Sequence, residues 1–101
     1  MIKLTALYGH PTSPGDFEKY YSVTHLPLVD KMKGLARAEY TKFVSGPDGA
    51  KPAFYRMAEL YFDSQEQMAK TMDSAEAKAV VGDIPNFATG GVTIVVGSVD
   101  R

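Results

Sequence analysis

The sequence predicts an α+β domain in which four strands and two helices follow one another in the order βαββαβ. Three observations predict it. Four short segments have the composition of strands, two amphipathic segments begin at residues that cap helices, and turn residues separate all of them. The chain has 101 residues, so we expect one domain spanning residues 1–101.

The first strand and helix are predicted from the amino-terminal third of the chain. Residues 2–9 form the strand. After a turn, Ser13 and Asp16 make a capping box at the start of the helix. Pro27 lacks an amide donor, so the helix is expected to kink or end near it, and Gly34 is its natural stop. Spacings of three and four residues place six side chains on one face of this helix, which is expected to point inward. They are Phe17, Tyr20, Tyr21, Thr24, His25 and Leu28.

Two strands joined by a loop come next. Residues 36–44 are the second predicted strand, and residues 53–62 are the third. The segment 45–52 between them consists almost wholly of turn residues. Asp63 is then expected to cap the second helix, with Glu66 three positions on.

The second helix leads to the last strand. Ser74 is a second possible cap, so the helix can divide at Asp73. Residues 83–87 are predicted as a loop and residues 91–98 as the fourth strand. The inner stripe of the helix is expected to comprise Met68, Met72, Ala75 and Ala79.

This order of elements is the ferredoxin-like arrangement, in which two helices cover one face of a four-stranded antiparallel sheet. The other face has no helix, yet the strands carry apolar residues on both faces. In the last strand, Ile94 and Val96 alternate with Val95, whereas a strand with one solvated face would alternate apolar and polar residues. We therefore expect a homodimer through the helix-free sheet face, with the two sheets forming a dimeric α+β barrel.

Composition excludes several classes of protein. The formal net charge is −1 and the chain has no cysteine, so neither a nucleic-acid surface nor a thiolate site is expected. No apolar run approaches the roughly 20 residues that cross a bilayer. The amino terminus has the pattern of a strand rather than that of a signal peptide. We expect a soluble, cytoplasmic protein.

Several segments together resemble the EthD family, small proteins of the dimeric α+β barrel superfamily named for ethyl tert-butyl ether degradation. The resemblance runs nearly end to end and departs from the family pattern at Lys33, where a proline is common. It rests on Ile2-Lys3-Leu4-Thr5, Tyr20-Tyr21, Thr24-His25-Leu26-Pro27-Leu28, Gly34-Leu35, Ala58-Glu59-Leu60-Tyr61-Phe62-Asp63-Ser64, Asn86-Phe87 and Gly90-Gly91-Val92.

The resemblance implies the fold and the dimer, and it implies less about the reaction. Family members are often described as reductases or oxidoreductases. Related dimeric barrels include isomerases, monooxygenases that use no cofactor and polyketide cyclases, which hold hydrophobic substrates between helices and sheet. His25 matches the helix-one histidine of the family, which makes it the residue carried over.

His25 is also a candidate from its own position. It lies one turn after Tyr21 on the inward stripe, and an imidazole can both take and give a proton near neutral pH. The alternative is a buried structural histidine, satisfied by a backbone carbonyl or by Glu59. Glu59 could orient His25 or act as a second acid–base group. Otherwise it is exposed or forms an ion pair with Arg37, Lys42 or Arg56.

The aromatic residues could line an apolar pocket with a few hydroxyl groups. The alternative for each of them is packing in the core or at the dimer interface, and for Asn86 an ordinary turn. The predicted substrate-binding residues are Tyr8, Phe17, Tyr20, Tyr61, Asn86 and Phe87, beside the predicted catalytic residues His25, Tyr21 and Glu59.

No metal or nucleotide motif is present. His10 and His25 are not spaced as a ligand pair, and no glycine-rich phosphate loop occurs, so no cofactor or metal is expected. Three hypotheses remain. The first is an enzyme that needs no cofactor, in which His25 moves protons on a small hydrophobic molecule by isomerisation, cyclisation or oxygenation. The second is an oxidoreductase or accessory component of a degradation pathway, and the third is a binder without catalysis.

Overall fold

A computed structural model describes residues 1–101. Four strands form one antiparallel sheet in the spatial order β2–β3–β1–β4. This is the ferredoxin-like order, and it confirms the predicted fold class. The strands are β1 (Ile2–Tyr8), β2 (Arg37–Lys42), β3 (Arg56–Phe62) and β4 (Val92–Ser98).

Helices occupy the two connections that cross the sheet. None of them is both long and apolar enough to cross a bilayer. The helical segments are α1 (Pro14–Tyr20), a π-helical segment (Tyr21–His25), α2 (Leu26–Val29), α3 (Gln65–Met72), α4 (Ala75–Asp83) and a 3₁₀ turn (Ile84–Asn86).

The predicted kink before Pro27 takes the form of the π-helical segment. The amide of Leu26 donates to the carbonyl of Tyr21, five residues back instead of four. One extra residue in this turn changes which side chains face inward. Tyr21 and His25 are buried as predicted, but Thr24, also expected on the inner stripe, is exposed.

The helix caps differ in part from the predicted ones. The Ser13 side chain makes no capping hydrogen bond. Ser64, not Asp63, caps α3 by accepting a hydrogen bond from the amide of Gln67 at 3.1 Å. Ser74 caps α4, which confirms the predicted division of the second helix.

This division resets the helical phase, so the predicted inner stripe fails in α4. Ala75 and Ala79 are exposed, whereas Ala77 and Val80 are buried. A single 3.6-residue repeat cannot describe two helices that begin at separate caps. The predicted loop 83–87 is also corrected, because Asp83 is the last residue of α4 and a 3₁₀ turn comes directly after it.

The face of the sheet that the helices cover carries the core. Leu4 pairs with Leu60, and Ala6 with Ala58, across β1 and β3. Aliphatic residues from α2 and α4 pack at one end of this face. At the other end is a cluster of aromatic rings, namely Tyr8, Phe17, Tyr21, Tyr55 and Phe87.

The edge strand β4 is uncovered on both faces. Ile94, which points to the helix side, is 43% exposed, and Val95, which points to the helix-free side, is 51% exposed. Strands β2 and β3 start later than predicted, at Arg37 and Arg56. Tyr55, expected in β3, precedes it and packs its ring edge against Phe17 on the helix side.

Candidate functional site

A cavity of about 240 Å³ lies between the helices and the sheet, and α2, α4 and the π-helical segment all contribute to its wall. His25 is the one residue of this wall that is not hydrophobic. Val81 of α4 and Ile94 of β4 line the cavity and are also exposed, so the entrance lies between them. The wall consists of Leu4, Ala6, Tyr8, Tyr21, His25, Leu26, Val29, Met32, Tyr40, Ala58, Leu60, Met72, Ala77, Val80, Val81, Ile84 and Ile94.

His25 is fixed in this wall by ring packing and by one hydrogen bond. It is the last residue of the π-helical segment, and its ring stacks on Tyr21 with centroids 5.6 Å apart and an interplanar angle of 17°. Phe87 packs against both rings, with its centroid 4.4 Å from that of His25 and 5.6 Å from that of Tyr21. Its Nδ1 lies 2.8 Å from Oδ2 of Asp83, a buried pair that joins the first helical region to α4.

Asp83 accepts two further hydrogen bonds. The hydroxyl of Tyr20 donates to Oδ1 at 2.6 Å, and Nδ2 of Asn86 donates to the same oxygen at 3.0 Å. Burial by itself raises the pKa of the Asp83 carboxyl, but the hydrogen bonds from Tyr20, Asn86 and His25 outweigh it and leave that pKa lowered. The group is therefore an ionised carboxylate at neutral pH.

The protonation state of His25 depends on this partner. Burial lowers the pKa of the imidazole, and the hydrogen bond to Asp83 opposes this without reversing it. The ring is thus neutral at pH 7. Because an ionised carboxylate only accepts hydrogen bonds, the proton of the neutral ring is on Nδ1. Nε2 carries the lone pair and has no hydrogen-bond partner within the chain.

Tyr21 lies between Phe17 and His25 in a stack of three rings. Its hydroxyl is buried and has no hydrogen-bond partner. Burial raises the pKa of this phenol, so it remains protonated. The guanidinium of Arg56 lies over the ring at 5.1 Å and is held by two hydrogen bonds to Glu18.

Most of the predicted site residues come together on this side of the sheet, but they differ in position. Tyr8, Tyr21 and His25 line the cavity. Phe87 does not line the cavity but contacts the His25 ring. The remaining residues, Phe17, Tyr20 and Asn86, line a separate shallow cleft on the outer surface together with Phe87.

Glu59 and Tyr61 lie on the opposite face of the sheet, as the pairing of Thr5 with Glu59 shows. Lys3 binds Glu59 at 2.7 Å, and the Tyr61 hydroxyl donates to Glu59 and to Glu39. Glu59 therefore does not orient His25. None of the partners considered from the sequence is correct, since Lys42 and Arg56 pair with Glu18, and Arg37 with Glu39.

Sequence reasoning missed Asp83 and Tyr40. Tyr40 lies in β2 and lines the cavity from the sheet. Asp83 gives no local signal, because the sequence predicts it as the first residue of a loop, where aspartate is an ordinary turn residue. No three histidine or carboxylate side chains lie close enough together to hold a metal ion.

Comparisons with known proteins agree with this architecture. The model of the EthD domain matches residues 9–91. An uncharacterised 11.0 kDa protein from the thcB–thcC intergenic region of Rhodococcus erythropolis is 37% identical over 95 residues, 94% of this chain and 91% of that protein. An EthD family protein of Bacillus halodurans is 36% identical, with a TM-score of 0.91 and 98% of each chain covered.

A more distant structure shares the fold. A ferredoxin-like protein of unknown function from Thermobifida fusca, described as dimeric, has a TM-score of 0.71 over 97% of this chain and 90% of that one. At 13% identity it is similar in fold alone.

Proposed function

This chain belongs to the EthD family, and on that premise we propose that it is an enzyme in which His25 moves protons on a small hydrophobic molecule held in the cavity. The observation that carries the proposal is that His25, in the wall of an apolar cavity, forms a buried pair with Asp83 behind that wall. A neutral imidazole held by a carboxylate, with its second nitrogen unbound, is the arrangement of a general base.

The chemical step begins with proton removal. Nε2 of His25 takes a proton from a carbon next to a carbonyl group, or from a phenolic hydroxyl, and the electron pair moves towards the oxygen. The Asp83 carboxylate stabilises the imidazolium that forms and keeps its orientation. Return of the proton to another carbon gives isomerisation. Cyclisation or oxygenation by molecular oxygen can start from the same anion.

The character of the wall defines the ligand. No lysine, arginine or carboxylate lines the cavity, so the buried part of the ligand carries no charge. An apolar cavity of roughly 150 Å³ can hold benzene, and about 240 Å³ accommodates a substituted single ring. We propose that such molecules are handled in catabolism or secondary metabolism, in the cytoplasm.

We also propose that a second copy covers the helix-free face. Leu7, Met57 and Val95 are apolar residues of this face, and Glu59, paired with Lys3, lies at its middle. Burying such a patch against a symmetry mate removes apolar surface from water. The dimeric description of a structural neighbour supports this arrangement.

Solvent exchange tests the proposed chemistry without knowledge of the natural substrate. Acetophenone and other small enolisable ketones or phenols are incubated with the protein in D₂O, and loss of the exchangeable C–H signals is followed by proton NMR. The wild type is expected to accelerate exchange. His25→Gln should lose 10²- to 10⁴-fold of that rate, with an unchanged circular dichroism spectrum.

His10→Gln is the matched control. The other histidine of the chain lies outside the cavity, with Nε2 at 2.7 Å from the carbonyl of Pro52, and its replacement should leave exchange intact. Binding of the probes without any exchange would favour a non-catalytic binder. Equal rates for His25→Gln and wild type would refute the assignment of His25.

A further inference from the structure

We infer that three tyrosines, Tyr8, Tyr21 and Tyr40, form the oxygen-recognition site of the cavity, so that the ligand is an uncharged ring bearing a ketone or phenol oxygen. We call these three residues the phenol cluster. The inference deepens the proposed function and rests on the same cavity. It concerns binding, however, and can be tested apart from catalysis.

The hydrogen bonds of the six tyrosines divide them into two groups. Tyr20, Tyr55 and Tyr61 lie outside the cavity, and each donates its hydroxyl proton to a carboxylate. The phenol cluster lines the cavity, and none of its three hydroxyl groups has a partner within the chain. The unpaired phenols are therefore the ones that face the space for a ligand.

Tyr8 and Tyr40 give the strongest indication. Both line the cavity, and neither hydroxyl has a partner in the chain or is sealed from the accessible space. Buried polar groups are nearly always paired, and an oxygen of a bound ligand that accepts a proton from Tyr8 or Tyr40 supplies the missing partner. The Tyr21 hydroxyl, which is fully buried and also unpaired, adds a third donor behind the accessible surface, with its ring 5.8 Å from that of Tyr8 and 6.4 Å from that of Tyr40.

The charge and protonation of the cluster narrow the ligand class. Burial raises the pKa of Tyr8, Tyr21 and Tyr40, so all three are proton donors at neutral pH. No cation lines the cavity to pair with a carboxylate or phosphate. Donors without a positive charge match a neutral acceptor oxygen, and the apolar remainder of the wall matches a hydrocarbon ring.

The position of His25 links this site to the proposed reaction. The imidazole stacks nearly parallel on the Tyr21 ring. An oxygen held at the phenol cluster therefore places neighbouring ligand atoms beside the imidazole. Negative charge that develops on that oxygen during proton removal would be met by phenol donors.

A pair of probes of the same shape tests the inference. Acetophenone has a carbonyl oxygen where α-methylstyrene has a methylene group. We expect the wild type to bind acetophenone about tenfold more tightly, the order expected of a hydrogen bond to a neutral donor. Affinities are measured by chemical-shift titration of the isotope-labelled protein.

Three variants make the test specific. Tyr8→Phe and Tyr40→Phe should each bring the affinity ratio towards one, mainly by weakening acetophenone binding. Tyr61→Phe removes a phenol from the opposite face of the sheet and should leave the ratio unchanged. Thermal unfolding confirms that each variant is folded.

The outcomes separate this inference from the proposed function. Three results would each overturn the oxygen site: equal wild-type affinities for the two probes, no binding of either at millimolar concentration, or an unchanged ratio in Tyr8→Phe and Tyr40→Phe. Selective binding without deuterium exchange would sustain the oxygen site and count against the base role of His25. Deuterium exchange without a preference for acetophenone would sustain the base role of His25 and overturn the oxygen site.

Discussion

At the residue scale, Asp83 determines which nitrogen of His25 is available for chemistry. Its carboxylate fixes the proton on Nδ1 across 2.8 Å and is itself held by Tyr20 and Asn86. Asp83 lies outside the wall of the cavity. We therefore regard it as a positioning residue that acts through the imidazole.

Replacement of Asp83 by asparagine should affect rate more than binding. An amide can present its NH₂ group to Nδ1, which favours the tautomer with the proton on Nε2 and removes the basic lone pair. We expect Asp83→Asn to lower the exchange rate on the order of 10²- to 10⁴-fold, with probe affinity changed little. Nitrogen-15 NMR of the ring would show the change of tautomer.

Asp73→Asn is a control at an exposed carboxylate, the partner of Lys78 at 3.7 Å. It should leave both rate and tautomer unchanged. The contrary result is a probe affinity that falls enough in Asp83→Asn to account for the whole loss of rate. That result would show that Asp83 shapes the cavity and does not position the base.

The pH dependence of stability is set by the same pair. The unfolded histidine titrates near 6.5, and burial lowers the pKa of His25 in the folded chain. Below about pH 6.5 the unfolded state binds a proton that the folded state does not. The stability contributed by the neutral ring is therefore present above that pH and is lost as pH falls towards the folded pKa.

We expect the free energy of unfolding, measured in urea, to decline as the pH falls below 6.5, and this decline to be smaller in His25→Gln. The acid limb of the exchange rate should also lie below 6.5, since the base must be neutral. A His25 ring that titrates above 6.5 by NMR would contradict both expectations.

The Tyr21 hydroxyl predicts an unusual effect on stability. An unpaired buried hydroxyl costs about 1–3 kcal/mol, and Tyr21→Phe removes it while keeping the ring stack with Phe17 and His25. Without ligand, the variant should be as stable as the wild type or more stable. Calorimetry measures the melting temperature of each variant. Tyr55→Phe is the comparison, and it should melt lower than wild type because it loses a hydrogen bond to Glu18. A loss of more than about 1 kcal/mol in Tyr21→Phe would show that its hydroxyl is satisfied.

The sequence predicts some of these residues and not others, for physical reasons. Helical spacing predicts that Tyr21 and His25 face inward, because both lie within one helical segment. Asp83 is 58 residues from His25 along the chain, and local spacing carries no information about such a contact. Glu59 was misplaced because alternation groups it with Met57 and Tyr61 without stating which face the helices cover.

At the scale of elements, the π-helical segment brings the ring stack and His25 to the same side. Each step of four residues drifts by about 40° in an α-helix. The five-residue turn offsets this drift, so that Phe17, Tyr21, His25 and Val29 are all buried on one side. Pro27 sits where an amide is not needed. Element order, strand positions and the division at Ser74 are predictable from propensity and caps. An added residue in one turn leaves the helix propensities of the segment unchanged. The sequence therefore predicts a kink near Pro27, but it does not predict that the kink is a π-helical turn.

Deletion of Val23 tests the importance of this turn. Val23 is 67% exposed, so the deletion removes no core side chain, but it converts the five-residue turn to an α-helical turn in which Leu26 still bonds to Tyr21. The later helix keeps nearly the same phase, but the ring of Pro27 then meets the carbonyl four positions before it, which costs about 3 kcal/mol in an α-helix. We expect a loss of about that size in the free energy of unfolding and weaker probe binding.

Val23→Ala is the control for this deletion and should stay within about 0.5 kcal/mol of wild type by urea unfolding. A deletion variant with wild-type stability and probe affinity would show that the extra residue is dispensable.

At the scale of the whole molecule, the apolar residues of the helix-free face predict self-association. Val95 is half-exposed on that face, beside Thr5 of β1 in the sheet register. We expect the wild type to elute at twice 11.0 kDa in size-exclusion chromatography with light scattering. Val95→Glu would bury a charge at the interface without a partner, and it should weaken the dimer at least tenfold.

Val23→Glu adds the same charge at a valine of similar exposure on the outer helical surface and should remain dimeric. Since the cavity opens between α4 and β4 on the helix side, a monomeric Val95→Glu protein should still bind acetophenone. A wild type that is monomeric at micromolar concentration, or a Val95→Glu dimer as stable as the wild type, would show that this face is not the interface. Loss of probe binding together with the dimer would show instead that the second copy supports the cavity across the sheet.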